Sequence, residues 1–96
     1  MVDRAIVRVR YYGRIRLVAG VDVEDIPLTR DSATLLTVVD EIVRKYGEDL
    51  RSELERGYTV TVCRQVDGSK TYIPARLNTV IHSGDEIVFV YPFTGG

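Results

Sequence analysis

The chain is poor in the residues that build most catalytic and metal centres: it holds one cysteine (Cys63), one histidine (His82), one methionine and no tryptophan. A single cysteine closes no intramolecular disulfide, and one histidine beside it falls short of the usual zinc ligand set, so no metal site is expected. No apolar run approaches the roughly 20 residues of a membrane helix, so no membrane role is expected. The opening Met1-Val2-Asp3-Arg4 lacks the apolar stretch of a secretory signal, and a cytoplasmic protein is expected. Neither a Ser/His/Asp order, a glycine-rich nucleotide loop nor a metal-ligand spacing is found, so the chain shows no self-contained active site. His82 reads as an ordinary loop histidine and Cys63 as a small hydrophobe in mid-strand.

What is present is the composition of one soluble globular domain: 96 residues, 45% hydrophobic and 28% charged. Such a length buries roughly two-thirds of the surface its unfolded chain exposes, so folding needs no staple. Residues Ala5 to Tyr12 alternate, with Val7, Val9 and Tyr11 on one side and Arg8, Arg10 and Tyr12 on the other, the period of a half-buried strand. Gly13 to Gly20 reads as a loop or a short helical turn. A second strand is expected from Val21 to Leu28, at a sheet edge because Pro27 lacks a donor.

Thr29 to Thr34 is rich in cap formers, and Leu35, Val38, Val39, Ile42, Val43 and Tyr46 follow at helical spacing. Gly47 is placed to end that helix in a left-handed cap, and Glu48 to Arg56 suggests a second, short helix. Tyr58 to Val66 predicts a third strand and Asp67-Gly68 a tight hairpin turn. A short fourth strand is expected over Lys70 to Ile73, then a surface crossing from Pro74 to Ser83, then a last strand from Glu86 to Tyr91. Both faces of that last strand are apolar, Ile87 and Phe89 against Val88 and Val90, which suits a central position. The order predicts an α+β domain over 1–91, a sheet with a main helix on one face, and a flexible tail over 92–96.

Two features bear on function. Arg4, Arg8, Arg10, Arg14 and Arg16 crowd the first sixteen residues; they are read either as a basic docking strip or as the wet face of a strand. The chain then closes on Pro92-Phe93-Thr94-Gly95-Gly96. Pro92 stops strand pairing, and four further residues span roughly 14 Å when extended. Gly95 and Gly96 let that backbone thread a channel in which a Cβ would clash. A carboxylate delivered so could attack the α-phosphate of ATP on another protein, giving an acyl-adenylate open to sulfur; chance glycines at a frayed end are the other reading.

The sequence resembles the MoaD/ThiS family of ubiquitin-like sulfur carriers over its whole length. Three regions carry the resemblance: Val7-Arg8-Val9-Arg10-Tyr11-Tyr12-Gly13 with Arg16-Leu17-Val18-Ala19-Gly20; Ser83-Gly84-Asp85-Glu86-Ile87; and Tyr91-Pro92-Phe93-Thr94-Gly95-Gly96. The last is similar to the Pro-Pro-Val-Thr/Ser/Ala-Gly-Gly ending of molybdopterin synthase small subunits. Tyr91, Phe93 and a longer, more polar stretch from Arg64 to Asn78 depart from the pattern.

The resemblance implies a β-grasp fold with a mixed five-stranded sheet. It implies no stably bound cofactor, ATP being used by an E1-like adenylyltransferase of the MoeB/ThiF type that activates Gly96. It implies transfer of sulfur to Gly96 as a thiocarboxylate and a large synthase subunit of the MoaE type as second partner. Thiazole synthesis, tRNA thiolation and protein modification stay open within that class, and a non-covalent module touching RNA through Arg8 and Arg10 outside it, although nucleic acid is not the expected partner. For any enzyme partner, Tyr12, Val88 and Val90 are expected to form an apolar contact beside Pro92, Phe93 and Thr94, with Arg8 and Arg10 as its rim. The alternative is a face covered within the domain or by a second copy.

Overall fold

Seven residues that alternate apolar and mostly charged side chains form the first strand, β1 (Ala5–Tyr11), and the alternation sorts them cleanly: Val7, Val9 and Tyr11 are buried while Ile6 and Arg8 are exposed. The structure, a computed structural model, describes residues 5–30 and 32–91. The readings that fall on Met1 to Arg4 and on Pro92, Phe93, Thr94, Gly95 and Gly96, the 92–96 tail included, lie outside the described residues.

After β1 come α1 (Arg14–Ala19), β2 (Val23–Leu28), β3 (Ser32–Thr34), α2 (Leu35–Tyr46), α3 (Glu48–Leu54), β4 (Thr59–Val66), β5 (Ser69–Ala75), β6 (Val80–His82) and β7 (Glu86–Val90). Five strands make one mixed sheet in the order β2-β1-β7-β4-β5, and β3 pairs with β6 in a separate ribbon. β7 is central, as its two apolar faces led us to expect: it runs parallel to β1 and antiparallel to β4. Pro27 lies in edge strand β2. The architecture is α+β, with the helices on one side of the sheet.

The core forms where α2 covers that side. Leu35, Val38, Ile42 and Val43 are buried against Val7, Val9, Val62, Ile87 and Phe89, with Ile15 of α1, Leu50 of α3 and Ile81 of β6 closing the ends. Among the described residues no buried side-chain nitrogen or oxygen lacks a partner. No helix among them is long and apolar enough to cross a membrane.

Four local expectations need correction. Helix α2 does begin after Thr34, but no hydroxyl caps it; the carbonyls of Thr79 and Leu77 accept the N–H groups of Leu35 and Leu36 at 2.9 and 3.0 Å. Gly47 has the required positive φ of 87°, yet its ψ of −164° lies outside the left-handed helical region, in backbone space almost reserved for glycine. Strand β5 extends through Pro74 to Ala75, because β5 is an edge strand and a proline there costs no ladder donor. The supposed surface crossing from Pro74 to Ser83 therefore contains the end of β5 and all of β6, whose Ile81 is fully buried. The hairpin expectation holds: Asp67 and Gly68 take φ of 52° and 81°.

Two carboxylates, the buried one of Asp85 and the half-buried one of Glu24, tie the layers together. Asp85, 2% exposed, accepts from Arg64 Nε at 3.0 Å, from Arg64 at a second oxygen at 2.8 Å and from the His82 N–H at 2.8 Å. Glu24 accepts from Tyr11 Oη at 2.7 Å, Tyr46 Oη at 2.5 Å and Lys45 Nζ at 2.5 Å, pinning β2 and β1 to the end of α2. Burial pushes the Glu24 carboxyl up, but hydrogen bonds from Lys45, Tyr46 and Tyr11 outweigh it and hold the group below its ordinary value.

Two predictions follow from these clusters. Asp85→Ala strips the bidentate partner from Arg64 and the acceptor from His82, and should cost about 2–4 kcal/mol in urea unfolding. A carboxyl with a depressed native pKa stabilises the fold above its unfolded value and loses that contribution as pH falls through the native one. Stability should thus decline below about pH 4.5, the reference value of Glu24, and Glu24→Gln should flatten part of that acid limb when urea midpoints are compared between pH 7 and pH 3.

Candidate functional site

The helices leave one side of the sheet uncovered, and strand register lays its outward residues in rows. One row across the strands reads Asp25, Arg8, Glu86, Cys63, Tyr72, and the next reads Val23, Arg10, Val88, Thr61, Pro74. A third, at the end where β7 leaves the sheet, pairs Val90 with Thr59. The rows pass from polar to apolar toward the point where the chain continues to its glycines.

Of the residues expected at the contact, Tyr12 and Val90 are exposed, at 52% and 44%, and Val88 is half-buried between Arg10 and Thr61. Their register neighbours Val23, Thr61 and Pro74 extend the same surface, and none of these was singled out from the sequence. Leu17, 75% exposed on α1, lies toward the same end, because α1 follows directly on β1 and β1 runs parallel to β7. Alternation in β2 and β4 could have placed Val23 and Thr61 outward, but only the register shows that they stand beside β1 and β7.

Arg8 and Arg10 share this face, as expected, but neither offers an unpartnered charge. Arg8 Nε lies 3.2 Å from Asp25 and Arg10 Nε 2.6 Å from Glu86. The first pair is exposed and contributes little to stability, while the second is part-buried. Their effect is to neutralise the strip, which weakens the phosphate-binding alternative and leaves a polar border of alternating sign. A shallow groove of about 630 Å³ lies here, lined by Ile6, Arg8, Arg10, Cys63, Lys70 and Glu86 among others. It sits at the start of β7, away from Val90, and so is not at the tail root.

The start and end of β7 are both fixed. At its start Gly84, with φ of 90°, donates its N–H to the Ile6 carbonyl at 2.8 Å, and the Asp85 carbonyl accepts from the Arg8 N–H at 3.0 Å. The Ser-Gly-Asp-Glu motif is thus structural: Gly84 makes the turn, Asp85 locks it from inside, and Glu86 pairs with Arg10. At the far end the Tyr91 ring lies 5.2 Å from that of Tyr58, inclined at 61°. Tyr58 Oη donates in turn to buried Glu53 at 2.5 Å, and burial first, then that hydrogen bond, pushes its phenol up to about 12. Tyr91 and Tyr58 therefore brace the last described residue against α3.

Cys63 and His82 take no part in a reactive cluster. Cys63 is half-buried opposite Glu86 and Tyr72, and His82 is exposed at the end of β6. Among the described residues no three His, Cys, Asp or Glu side chains gather as metal ligands. The chemistry a surface of this kind can do is recognition.

No family model and no curated protein sequence matches the chain. Solved structures do. The putative molybdopterin converting factor, subunit 1, from Pyrococcus furiosus superposes with a TM-score of 0.71 at 22% identity, covering 93% of this chain and 99% of its own. The H. volcanii small archaeal modifier protein 1 gives 0.70 at 20% identity over 93% and 99%. Urm1 from Trypanosoma brucei gives 0.66 at 18% identity, covering both chains fully. These are the kinds of protein to which the sequence resemblance pointed, and the chain has the fold they share, the ubiquitin-like β-grasp.

Proposed function

We propose that the protein is a ubiquitin-like sulfur carrier that acts through the carboxylate of Gly96. The observation that carries this reading is the meeting of two features: a β-grasp domain whose central strand β7 is braced at both ends, and a sequence that continues directly from it as Pro-Phe-Thr-Gly-Gly. The anchored strand fixes the point from which the following residues start, and Pro92 has no N–H to offer a ladder. Gly95 and Gly96 then enter a partner's active site without side chains.

In this reading an E1-like adenylyltransferase of the MoeB/ThiF type supplies the nucleotide chemistry. The Gly96 carboxylate attacks the α-phosphate of ATP and pyrophosphate leaves. The terminal sulfur of a donor persulfide then displaces AMP from the carbonyl to give an acyl disulfide, and a second thiol attacks the donor's own sulfur, forming a disulfide there and releasing the thiocarboxylate on Gly96. The open sheet face around Tyr12, Val88 and Val90 holds the domain in each complex, with Arg8, Arg10, Glu86 and Asp25 as a border that sets register. One face serves activating enzyme and acceptor in turn, so the complexes exclude each other. The setting is cytoplasmic, where ATP is available.

The ending Tyr91-Pro92-Phe93-Thr94-Gly95-Gly96 resembles that of molybdopterin synthase small subunits, so we assign the sulfur to molybdopterin synthesis, with a MoaE-type large subunit as acceptor. The comparable likeness to a small archaeal modifier protein and to Urm1 favours a second reading, in which an amine rather than sulfur attacks the adenylate and the domain becomes attached to another protein. Deleting the gene separates the two: loss of molybdoenzyme activity supports the first, and loss of protein-bound forms with molybdoenzymes intact supports the second.

Incubating the protein with its cognate E1-like enzyme, ATP and a persulfide donor should replace one terminal oxygen by sulfur in the intact mass, and deletion of Gly96 should abolish the exchange. An unchanged mass with an enzyme that is active on ATP would overturn the carrier reading. Val90→Asp sets a charge on the open face without touching the core. It should weaken binding to that enzyme at least tenfold and change stability by less than about 0.5 kcal/mol. A large fall in thermal midpoint instead would mean that Val90 supports the fold.

A further inference from the structure

The helix side of the sheet carries an apolar groove that neither the core nor the proposed carrier chemistry uses. It holds about 270 Å³ between Leu36 and Val39 of α2, Leu54 of α3, Tyr58, Val60 of β4 and Leu77, with buried Phe89 at its floor. Leu36 and Leu77 stand 46% and 55% exposed at its lips. The space is below the ~300–1,000 Å³ of ordinary small-molecule pockets and suits one aromatic side chain. Its mouth lies at the end where β7 leaves the sheet, since Tyr58 and Phe89 both line it and Tyr91 packs on Tyr58.

The sequence supplies an aromatic side chain at the right distance. Ile87 and Phe89 point to the helix side, Tyr91 continues that alternation onto Tyr58, and Phe93 is the next residue of the same parity. Two residues span about 7 Å from Tyr91, and the phenylalanine side chain extends that reach toward a groove that begins at Tyr58. Threading Gly95 and Gly96 into an active site gives no reason for a ring at position 93.

We propose that Phe93 seats in this groove when no partner holds the C-terminal segment, so that the domain shields its own end. The contact is intramolecular over a two-residue tether, and the high effective concentration makes one aromatic ring sufficient. Its consequence for the carrier reading, on which this last point alone rests, is that an activating enzyme must draw Phe93 out before Gly96 can reach ATP. The helix-side groove and the open sheet face then act in opposition, one holding the segment and the other recruiting the enzyme that takes it.

The test uses the full chain without any enzyme, so its failure leaves the carrier reading standing. Nuclear Overhauser contacts are expected between the Phe93 ring and the methyl groups of Leu36, Val39 and Leu77, unchanged on tenfold dilution. Phe93→Ala should remove them and shift those methyl signals. Absence of the contacts overturns the proposal, and contacts that fade on dilution overturn it in favour of a second copy of the chain. As an independent readout, Leu36→Glu, at an exposed position, should speed carboxypeptidase removal of the terminal residues several-fold without moving the thermal midpoint. An unchanged rate also overturns it.

Discussion

The parallel pairing of β1 with β7 is the constraint from which the rest of the structure follows. Parallel neighbours cannot be joined by a tight turn, so everything between Tyr11 and Glu86 serves as the crossover that brings the chain back alongside its start. The crossover supplies the helices that cover one face, the edge strand β2 and the hairpin of β4 and β5. The pairing also fixes polarity. β1 and β7 point the same way, so the chain leaves β7 at the end where α1 begins. Asp85 sets where the pairing starts: its carboxylate is held from inside by Arg64 and the His82 N–H while its carbonyl accepts from Arg8. A slip of one residue there would turn Phe89 outward and Val90 inward, exchanging core and contact surface.

How much of this was legible in the sequence depended on the range of the interactions involved. The alternation of Val7, Val9 and Tyr11, the helical spacing from Leu35 to Val43 and the Asp67-Gly68 turn are local patterns, and the structure reproduces them. The ribbon of β3 and β6 was missed because its strands are three residues each and pair across a long separation, Ala33 with Ile81. Pro74 was taken for a strand end because its tolerance depends on β5 being an edge, which only the sheet order reveals. The acids that tie the layers together were not singled out, because their partners come from other elements of the fold. Glu24 and Asp85 gain their partners only when Tyr46 and Arg64 arrive from distant positions, and Glu53 when the chain beyond α3 brings Tyr58 back to it.

The candidate site shows the same division. The outward direction of Tyr12, Val88 and Val90 follows from period-two alternation, but their neighbours across strands do not. Nor does the sequence reveal that Arg8 and Arg10 are each matched by an acid, Asp25 and Glu86, which turns an apparently basic strip into a neutral border. That difference bears on partner type. A nucleic acid requires unspent cationic charge over a surface, whereas a protein partner with its own charged rim is served by alternating sign around an apolar centre.

The two sides of β7 then divide stability from recognition. Ile87 and Phe89 are fully enclosed, so the strand cannot move without unfolding the domain, while Val88 and Val90 on the same backbone face outward and are available to a partner. A contact built on such a strand needs no conformational change in the domain, because its backbone is already fixed by ladders on both sides. The aromatic brace of Tyr91 on Tyr58 carries this fixed backbone on to the last described residue. The brace is itself tied to a buried carboxylate through Tyr58 and Glu53, with Arg14 of α1 3.5 Å from the same acid. Rigidity at that point matters under the proposed carrier reading, in which the domain presents its own end. A fixed Tyr91 then sets the origin from which Gly96 must reach a partner's active site, and pre-organisation of that origin lowers the ordering cost of each encounter.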